Sequence, residues 1–507
     1  MVGSNLSSAT LLLPGILLLG CGWSSRGDTD TPRDNTAGAD SGEGVSGKGG
    51  ASAHSDASGQ GGVSDRGDAS GEAGDGNPSG QGGSPVCDYG AGGSVDSEVR
   101  TPWDWTGVVG TGQSLAVGEK GYPVRSTVQP YNNLQLSTDT LSWPIDPDDE
   151  GLAMVPLTEP IGRLAPSYPS AWPENIAGET IHSSMGNQVT ALVVDAGAPD
   201  YVSVHGQFGE NGQCMAYLRK DATPSGINGR AFEATVVATQ AITRLAKAEG
   251  KTYGVSAITV VHGECDAGNT AYEDDLVQLW RDYNSDLQAV TGQAESIQML
   301  VSQQNSTNDH AASTLAQWQV GVDYPDDIAC VGPTYQYEAF TDGTHLVGEG
   351  YRQLGEKFGQ VYFERIVLGR NWQPLQPTGV ERSGRVISVR FHVPVPPLVW
   401  DTELEAPHQS LEAWTEGKGF EVRSGSQKLT ISSVKIVCDT IQITMADDLP
   451  SSNLAVSYAL YGEPEPRAEP VSGTRRWGLL RDSDPFVGST TTLPQPNYCV
   501  AFEMPVP

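Results

Sequence analysis

One serine has a local sequence typical of a catalytic nucleophile, because it lies in a glycine-rich turn directly after a short apolar run. Residues 108–118 are VVGTGQSLAVG, with Ser114 two positions after Gly112. Glycines in such a turn permit a tight bend and a close approach of the backbone to a bound molecule. A serine hydroxyl is a weak nucleophile until a histidine base, itself oriented by an acid, activates it. The pattern makes Ser114 a candidate nucleophile and requires an acid and a base elsewhere in the chain.

The segment TDGTH at 341–345 supplies both groups far downstream of the serine. Asp342 and His345 are three residues apart, so a single turn of chain can hold the carboxylate against the imidazole. We therefore predict Ser114, Asp342 and His345 as the catalytic residues of an acyl transfer in two steps.

Gly112-Gln113-Ser114 together with Asp342-x-x-His345 resembles the SGNH/GDSL hydrolase superfamily, over about residues 104–369. Within it, Gly-Gln-Ser resembles the branch of sialate O-acetylesterases and carbohydrate acetylesterases. The resemblance implies a serine esterase that removes O-acetyl groups from a carbohydrate through an acyl-serine intermediate, with no cofactor and no metal.

The resemblance also implies donors for the oxyanion of the tetrahedral intermediate. The first is the backbone N–H of Ser114, preceded by Gln113. The second is a glycine after the second strand, for which Gly209 is the best match and Gly206 the alternative.

The third oxyanion donor is expected after the third strand, where the family has Gln-Gly-Glu and this chain has His262-Gly263-Glu264. A neutral imidazole can donate from one nitrogen, so His262 is the candidate in place of the glutamine. Glu264 matches the family's glutamate and is an alternative to Asp342 as the acid that orients His345.

Alternating strands and helices must position these residues. Apolar runs predict strands over 106–110, 201–204, 255–261, 297–301 and 327–331. Helical spacing of apolar residues predicts helices within 174–194 and over 230–249, 270–292, 309–320 and 346–368. This order predicts a parallel sheet covered on both faces, a flavodoxin-like three-layer sandwich with the candidate groups at the carboxyl ends of its strands.

Two further regions differ from the alternating strands and helices in composition or in periodicity. Residues 120–172 are rich in Pro, Ser and Asp, and we expect an insertion near the rim of the site. Its acidic stretch 146–150 is either a calcium loop or a solvated loop. Residues 371–507 show period-two alternation, as at 386–393, which predicts a C-terminal all-β sandwich domain. A segment at 477–483 resembles one near the end of β-domains appended to such hydrolases, and packing is its simplest role.

The N-terminus has the pattern of an exported lipoprotein. Residues 11–19 form an apolar run too short to span a membrane, followed by Gly20 and Cys21, which resembles a lipobox. We expect a signal peptide over 1–21 with lipidation at Cys21, a disordered linker over 22–86, an esterase domain over 87–370 and the β-sandwich over 371–507. Such a protein is held at the cell envelope by its lipid anchor only.

The net charge limits the kinds of ligand that the protein can bind, and the cysteine content bears on the number of disulfides. The net charge of −32 argues against nucleic-acid binding. Six cysteines remain after Cys21, enough for three disulfides in an oxidising compartment, and Cys438 with Cys499 is the pair we expect first.

Two alternatives to a carbohydrate acetylesterase remain open. One is a general GDSL-type lipase or arylesterase, because the sequence does not define the shape of the pocket. The other is a non-catalytic glycan-binding surface lipoprotein, which the exchange of glutamine for His262 favours and an intact Ser114 disfavours.

Overall fold

The computed structural model describes residues 87, 98–137, 146–161, 178–226, 228–306, 310–404, 416–460, 471–472 and 478–507. The expected signal peptide, Cys21 and the linker lie outside this part, and the expected domain boundaries stay predictions. The described residues between 87 and 507 belong to one compact unit. No helix in the described ranges is long and apolar enough to cross a bilayer.

A seven-stranded, mostly parallel sheet forms the centre of the N-terminal part. Its strands are β1 (Trp105–Gly112), β2 (Leu134–Leu136), β3 (Met154–Pro156), β4 (Ser203–Gln207), β5 (Tyr253–Val261), β6 (Gln298–Gln303) and β7 (Ile328–Pro333), in the order β3-β2-β4-β1-β5-β6-β7. Only the edge pair β2–β3 is antiparallel. The five strands expected from the sequence take the order β4-β1-β5-β6-β7, which is the 2-1-3-4-5 order of a doubly wound sheet.

Helices cover both faces of this sheet. They are α1 (His182–Asp195), α2 (Met215–Leu218), α3 (Ala231–Ala248), α4 (Tyr272–Thr291), α5 (Ala312–Asp323) and α6 (Gly348–Tyr362), which continues as a π-helical stretch, Phe363–Val367. Ile258 of β5 packs into one core with α3 and α4. Its neighbour Ala257 packs into a second core with α1 and α6. The coarse prediction of an α/β architecture is confirmed, with one apolar core on each face.

Local sequence explains where α4 ends but not how it begins. Gly292 follows it with φ +75°, a left-handed conformation in which glycine carries no Cβ penalty. The N-cap residue, Ala271, makes no side-chain capping hydrogen bond with the first turn. Three acidic residues, beginning with Glu273, instead lie there, where the helix dipole favours negative charge.

The segment 120–172 is not only an insertion, because β2 and β3 come from it and extend the sheet at one edge. Strands of three residues carry too little periodicity to be predicted. The acidic stretch 146–150 is largely exposed, and no group of three or more possible metal-binding side chains occurs among the described residues.

The C-terminal part is built from antiparallel sheets. A short β8 (Glu338–Ala339) pairs with β17 (Val471–Ser472), and β11 (Val399–Trp400) pairs with β18 (Leu480–Arg481). Two larger sheets have four strands each. One contains β9 (Gln376–Ser383), β10 (Val386–His392), β14 (Ile431–Val437) and β15 (Thr440–Met445). The other contains β12 (Phe420–Ser424), β13 (Gln427–Leu429), β16 (Leu454–Tyr458) and β19 (Phe502–Val506). Their apolar faces share one core, as the alternation at 386–393 predicted.

The segment after β18 is tied to α6 by buried polar groups. The carboxylate of Glu356, which is fully buried, accepts hydrogen bonds from the N–H groups of Thr490 (2.7 Å) and Thr491 (2.8 Å) and from Gln495 Nε2 (2.6 Å). The next residue, Lys357, donates to the carbonyl of Gln495 at 2.7 Å. The segment at 477–483 precedes this contact and supplies none of these hydrogen bonds, so its packing role stays a prediction, and residue 477 lies outside the described part.

The disulfides differ from the expected pairing. Cys438 bonds to Cys87, and Cys214 bonds to Cys265, while Cys499 is a buried free thiol. The expected Cys438–Cys499 bridge is therefore wrong. Nearness in sequence suggested that pair, but Cys499 is buried in the β-sheet core, whereas Cys438 lies in the turn between β14 and β15.

Candidate active site

Ser114 follows the carboxyl end of β1 and is 5 % exposed. Its carbonyl accepts a hydrogen bond from the N–H of Glu119 at 3.0 Å, which closes the turn after the serine. Its own N–H donates no hydrogen bond within the described part of the chain. The backbone thus offers an unused donor beside the candidate nucleophile.

The loop after β4 packs directly against the serine turn. The N–H of Glu210 donates to the carbonyl of Gly112 at 2.9 Å. A Cβ on Gly209 would lie 2.7 Å from that same carbonyl oxygen, so only glycine fits this contact. The N–H of Gly209 is buried and, like that of Ser114, donates to no described group. Gly206 instead lies within β4, paired with Val109 of β1.

Asp342 and His345 form a compact unit between β8 and α6. One carboxylate oxygen of Asp342 accepts from the N–H groups of Thr344 (2.9 Å) and His345 (3.0 Å). The other lies 2.8 Å from His345 Nδ1. Burial would raise the pKa of the Asp342 carboxyl, but these hydrogen bonds outweigh it and lower the pKa below the ordinary value. The carboxylate form is therefore favoured, and it places a proton on Nδ1 of the ring.

This arrangement leaves Nε2 of His345 as the basic nitrogen. The atom is shielded from solvent and has no hydrogen-bond partner among the described residues, Ser114 included. An unpartnered buried nitrogen is costly unless a ligand or reactant uses it.

The turn of Ser114 and the start of α6 are held together by two hydrogen bonds. The hydroxyl of Tyr351 donates to the carbonyl of Glu119 at 2.8 Å. The N–H of Gly348 donates to the carbonyl of Tyr122 at 3.2 Å. Leu115 and Leu346, the residues that follow the serine and the histidine, also pack into one core. The chain thereby brings the two segments to the same edge of the sheet.

Gln113 and Glu264 connect the serine turn to the loop after β5. The side-chain oxygen of Gln113 accepts from the N–H of Cys265 at 3.1 Å. One oxygen of Glu264 accepts from the hydroxyl of Ser306 at 2.8 Å, and the other is buried without a partner in the described structure. The described hydrogen bonds therefore place Asp342, rather than Glu264, on the ring of His345.

His262 does not have the geometry expected of an oxyanion donor. The residue is 1 % exposed, with Nδ1 2.6 Å from the hydroxyl of Tyr272 and Nε2 3.0 Å from the carbonyl of Gln213. Burial lowers the pKa of His262, which favours the neutral ring. Both nitrogens are occupied, so the hypothesis that His262 replaces the family's glutamine as a donor is not supported by this geometry.

Gly263 is required by its surroundings. Its φ is +124°, and an added Cβ would lie 2.7 Å from Gln317 Nε2. Its carbonyl accepts from the hydroxyl of Ser313 at 2.6 Å. Together with the Cys214–Cys265 disulfide, which links this loop to the one after β4, these contacts hold Glu264 in place.

Two site residues were missed from the sequence. Ser306, which holds Glu264, lies three residues after β6, so the rule that strand ends meet at one edge would have found it. Tyr351, which bonds to the serine turn, carried no signal, because a tyrosine on an amphipathic helix is ordinarily part of the core.

The comparisons with known proteins concern overall structure only. No family model and no curated protein matches the chain. A crystal structure described as a novel carbohydrate acetylesterase from Xanthomonas citri is similar at 10 % identity and a TM-score of 0.44, over 79 % of this chain and 80 % of that one. A protein of Arabidopsis thaliana is 16 % identical with a TM-score of 0.37, over 52 % of this chain and all of that one.

A third structure, NanS, is 13 % identical with a TM-score of 0.27, over 45 % of this chain and 72 % of the other. Likeness at these scores is partial.

Proposed function

We propose that this protein is a serine esterase that removes O-acetyl groups from carbohydrate. The observation that carries the proposal is His345, whose Nδ1 is engaged by the Asp342 carboxylate while Nε2 is buried and unpartnered. Ser114 lies on a turn bonded to the helix that follows this histidine. Acyl transfer by a serine needs a histidine base with one nitrogen available to accept a proton and a nearby hydroxyl nucleophile.

In this mechanism Nε2 of His345 takes the proton of Ser114 as the serine oxygen attacks the ester carbonyl. The carboxylate of Asp342 stabilises the imidazolium that forms. The imidazolium then gives its proton to the departing sugar oxygen, which leaves an acetyl-serine. Water, activated by the same nitrogen, releases acetate and restores the serine.

The N–H groups of Ser114 and Gly209 would bind the oxyanion. Both are backbone donors with no described partner, and their loops are joined through Gly112. Loss of one such donor typically lowers the rate by about 10² to 10³.

The acetylated sugar as substrate is supported by the sequence resemblance of Gly112-Gln113-Ser114 and Asp342-x-x-His345. Attachment to the cell envelope through a lipid on Cys21 remains part of the proposal, based on residues 11–21. Incorporation of radiolabelled palmitate by the wild type but not by Cys21→Ala would test it.

The experiment for the activity compares wild type with Ser114→Ala on p-nitrophenyl acetate and on acetylated xylan. Ser426→Ala, an exposed serine in the turn between β12 and β13, is the matched control. We expect wild type and Ser426→Ala to release acetate, and Ser114→Ala to show neither release nor labelling by a fluorophosphonate.

Equal rates for wild type and Ser114→Ala would refute Ser114 as the nucleophile. An inert, unlabelled wild type that still binds glycan would favour the non-catalytic glycan-binding alternative. Faster turnover of long acyl esters than of acetyl sugars would favour a general lipase or arylesterase.

A further inference from the structure

The oxyanion site lacks one of the three donors that the resemblance implies. Ser114 and Gly209 each offer a backbone N–H with no described partner. The third donor was expected from His262, but its Nδ1 lies 2.6 Å from the hydroxyl of Tyr272 and its Nε2 lies 3.0 Å from the carbonyl of Gln213. A third hydrogen bond to the oxyanion must therefore come from another group.

The side-chain amide of Gln113 has a donor that no described residue uses. Its Oε1 accepts a hydrogen bond from the N–H of Cys265 at 3.1 Å, whereas its Nε2 has no hydrogen-bond partner within the described ranges. The residue is only 5 % exposed, yet this nitrogen is not one of the unpartnered atoms that the fold seals from solvent. A bound molecule can therefore reach it.

The orientation of this amide is fixed by its acceptor end. Turning the amide over would place Nε2 of Gln113 against the N–H of Cys265, so two donors would face each other and the hydrogen bond would be lost. Cys265 is itself held by its disulfide to Cys214. The NH₂ group is thus oriented before the reaction begins, which is the condition under which a donor stabilises an oxyanion strongly.

The strand order places this amide on the side of the serine opposite Gly209. Strand β1 lies between β4 and β5 in the sheet. On the β4 side, the carbonyl of Gly112 accepts from the N–H of Glu210 at 2.9 Å. On the β5 side, the side chain of Gln113 reaches the loop that follows β5. Ser114 therefore has the Gly209 loop on one side and the Gln113 amide on the other.

We infer that Gln113 is a catalytic residue whose Nε2 donates the third hydrogen bond to the oxyanion, an inference that rests on the proposed function. As the oxygen of Ser114 bonds to the ester carbon, the electron pair of the C=O double bond moves to the carbonyl oxygen. Nε2 donates a hydrogen bond to that oxygen and keeps its proton. When the carbonyl re-forms, the bond to the sugar oxygen breaks. Because the negative charge exists only between these two events, the amide acts on kcat rather than on substrate binding.

The test compares two variants of the full-length chain on p-nitrophenyl acetate. Gln113→Glu keeps an oxygen that can accept from the N–H of Cys265 but loses the donor, and Gln113→Met loses both without adding a charge. We expect kcat to fall about 10²–10³-fold in both variants, with KM changed less than about threefold. Gln113→Met should also lower the urea midpoint, because it leaves the N–H of Cys265 without its acceptor.

Inhibition by phenylboronic acid provides a measurement that a merely structural role would not change selectively. Its adduct with Ser114 is tetrahedral and carries a negative charge, as the intermediate does. In Gln113→Met the inhibition constant should rise while KM stays nearly unchanged, because the lost hydrogen bond forms only with a charged tetrahedral species.

Gln293→Glu is the matched control. Gln293 also accepts from a backbone N–H, that of Val255 at 2.7 Å, but its Nε2 donates to the carbonyls of Val255 and Glu295. It lies between α4 and β6, at the amino end of the parallel strands and away from Ser114. The same substitution there should lower the urea midpoint and leave kcat unchanged.

Two results overturn the inference while keeping the esterase. One is a kcat of Gln113→Met within about threefold of the wild-type value. The other is full activity of Gln113→Glu with a loss of activity and stability in Gln113→Met, which identifies an amide that only holds the loop after β5. A wild type that is inert on p-nitrophenyl acetate, or as active as Ser114→Ala, refutes the esterase and the Gln113 donor together.

Discussion

Replacement of Asp342 by asparagine tests which carboxylate orients the catalytic base. Oδ1 of Asp342 accepts from the N–H groups of Thr344 and His345, and Oδ2 lies 2.8 Å from His345 Nδ1. In Asp342→Asn the amide oxygen can keep the two backbone bonds, so the loop stays in place. The amide nitrogen then faces Nδ1 and donates to it. The ring proton moves to Nε2, which can no longer accept a proton from Ser114.

The expected effect on the rate is far larger than the effect on stability. The wrong histidine tautomer lowers kcat about 10⁴-fold in the comparable serine–histidine–aspartate triad, which corresponds to about 5 kcal/mol. The fold exchanges a charge-assisted hydrogen bond to the ring, worth roughly 1.5–3 kcal/mol, for a neutral one worth roughly 0.5–1.5 kcal/mol. KM for p-nitrophenyl acetate should change little, because the change affects proton transfer rather than substrate contacts.

Glu264→Gln is the matched variant for this measurement. Its remaining side-chain oxygen can still accept from the hydroxyl of Ser306, so structural damage is expected to be small. Initial rates at pH 7.5 should fall less than about tenfold, the rate equivalent of the roughly 1 kcal/mol that one neutral hydrogen bond contributes. If Glu264→Gln loses about 10³-fold or more while Asp342→Asn stays within tenfold, the assignment of Asp342 as the orienting acid is wrong.

Two further predictions concern the oxyanion donor and a buried carboxyl. Gly209→Ala places a Cβ 2.7 Å from the carbonyl oxygen of Gly112, so we expect kcat to fall about 10²–10³-fold. Gly268→Ala, where a Cβ meets open space, is the control, and equal rates in both variants would contradict the role of Gly209. Burial and the adjacent Glu179 raise the pKa of Glu159 to about 7. The protonated Glu159 side chain therefore contributes fully to the free energy of unfolding below the unfolded pKa near 4.5, and this contribution is lost as pH rises through 7. Between pH 5 and pH 8 the urea midpoint of wild type should fall more than that of Glu159→Gln, and equal falls would refute the shift.

Some features of the fold follow from short-range pattern alone. The helices α3 and α4 were predicted within about two residues at each end, because their apolar residues recur at helical spacing and a glycine follows each helix. The strands β5 and β7 were both predicted from apolar runs, and β5 was expected to be buried. Short strands were not predicted, because three residues such as those of β2 are too few to show a periodic pattern.

Some features of the candidate site could likewise be predicted from the sequence, and others could not. The residue types, their order along the chain and their placement after strands could be predicted from local sequence, and the carboxyl ends of parallel strands meet at one edge of a sheet. This was sufficient to select Ser114, Asp342 and His345 for the proposal. It was not sufficient to choose between Asp342 and Glu264, since both follow strands and both are acids.

The partners of these groups could be identified only from the folded structure. It placed Asp342 on the ring of His345 and engaged both nitrogens of His262 with other groups. It also paired Cys438 with Cys87, 351 residues away. Hydrogen bonds and disulfides depend on distances of a few ångströms between segments far apart in the chain, and no local pattern encodes those distances. The sequence therefore defines the chemistry that is available, and packing defines which atoms can use it.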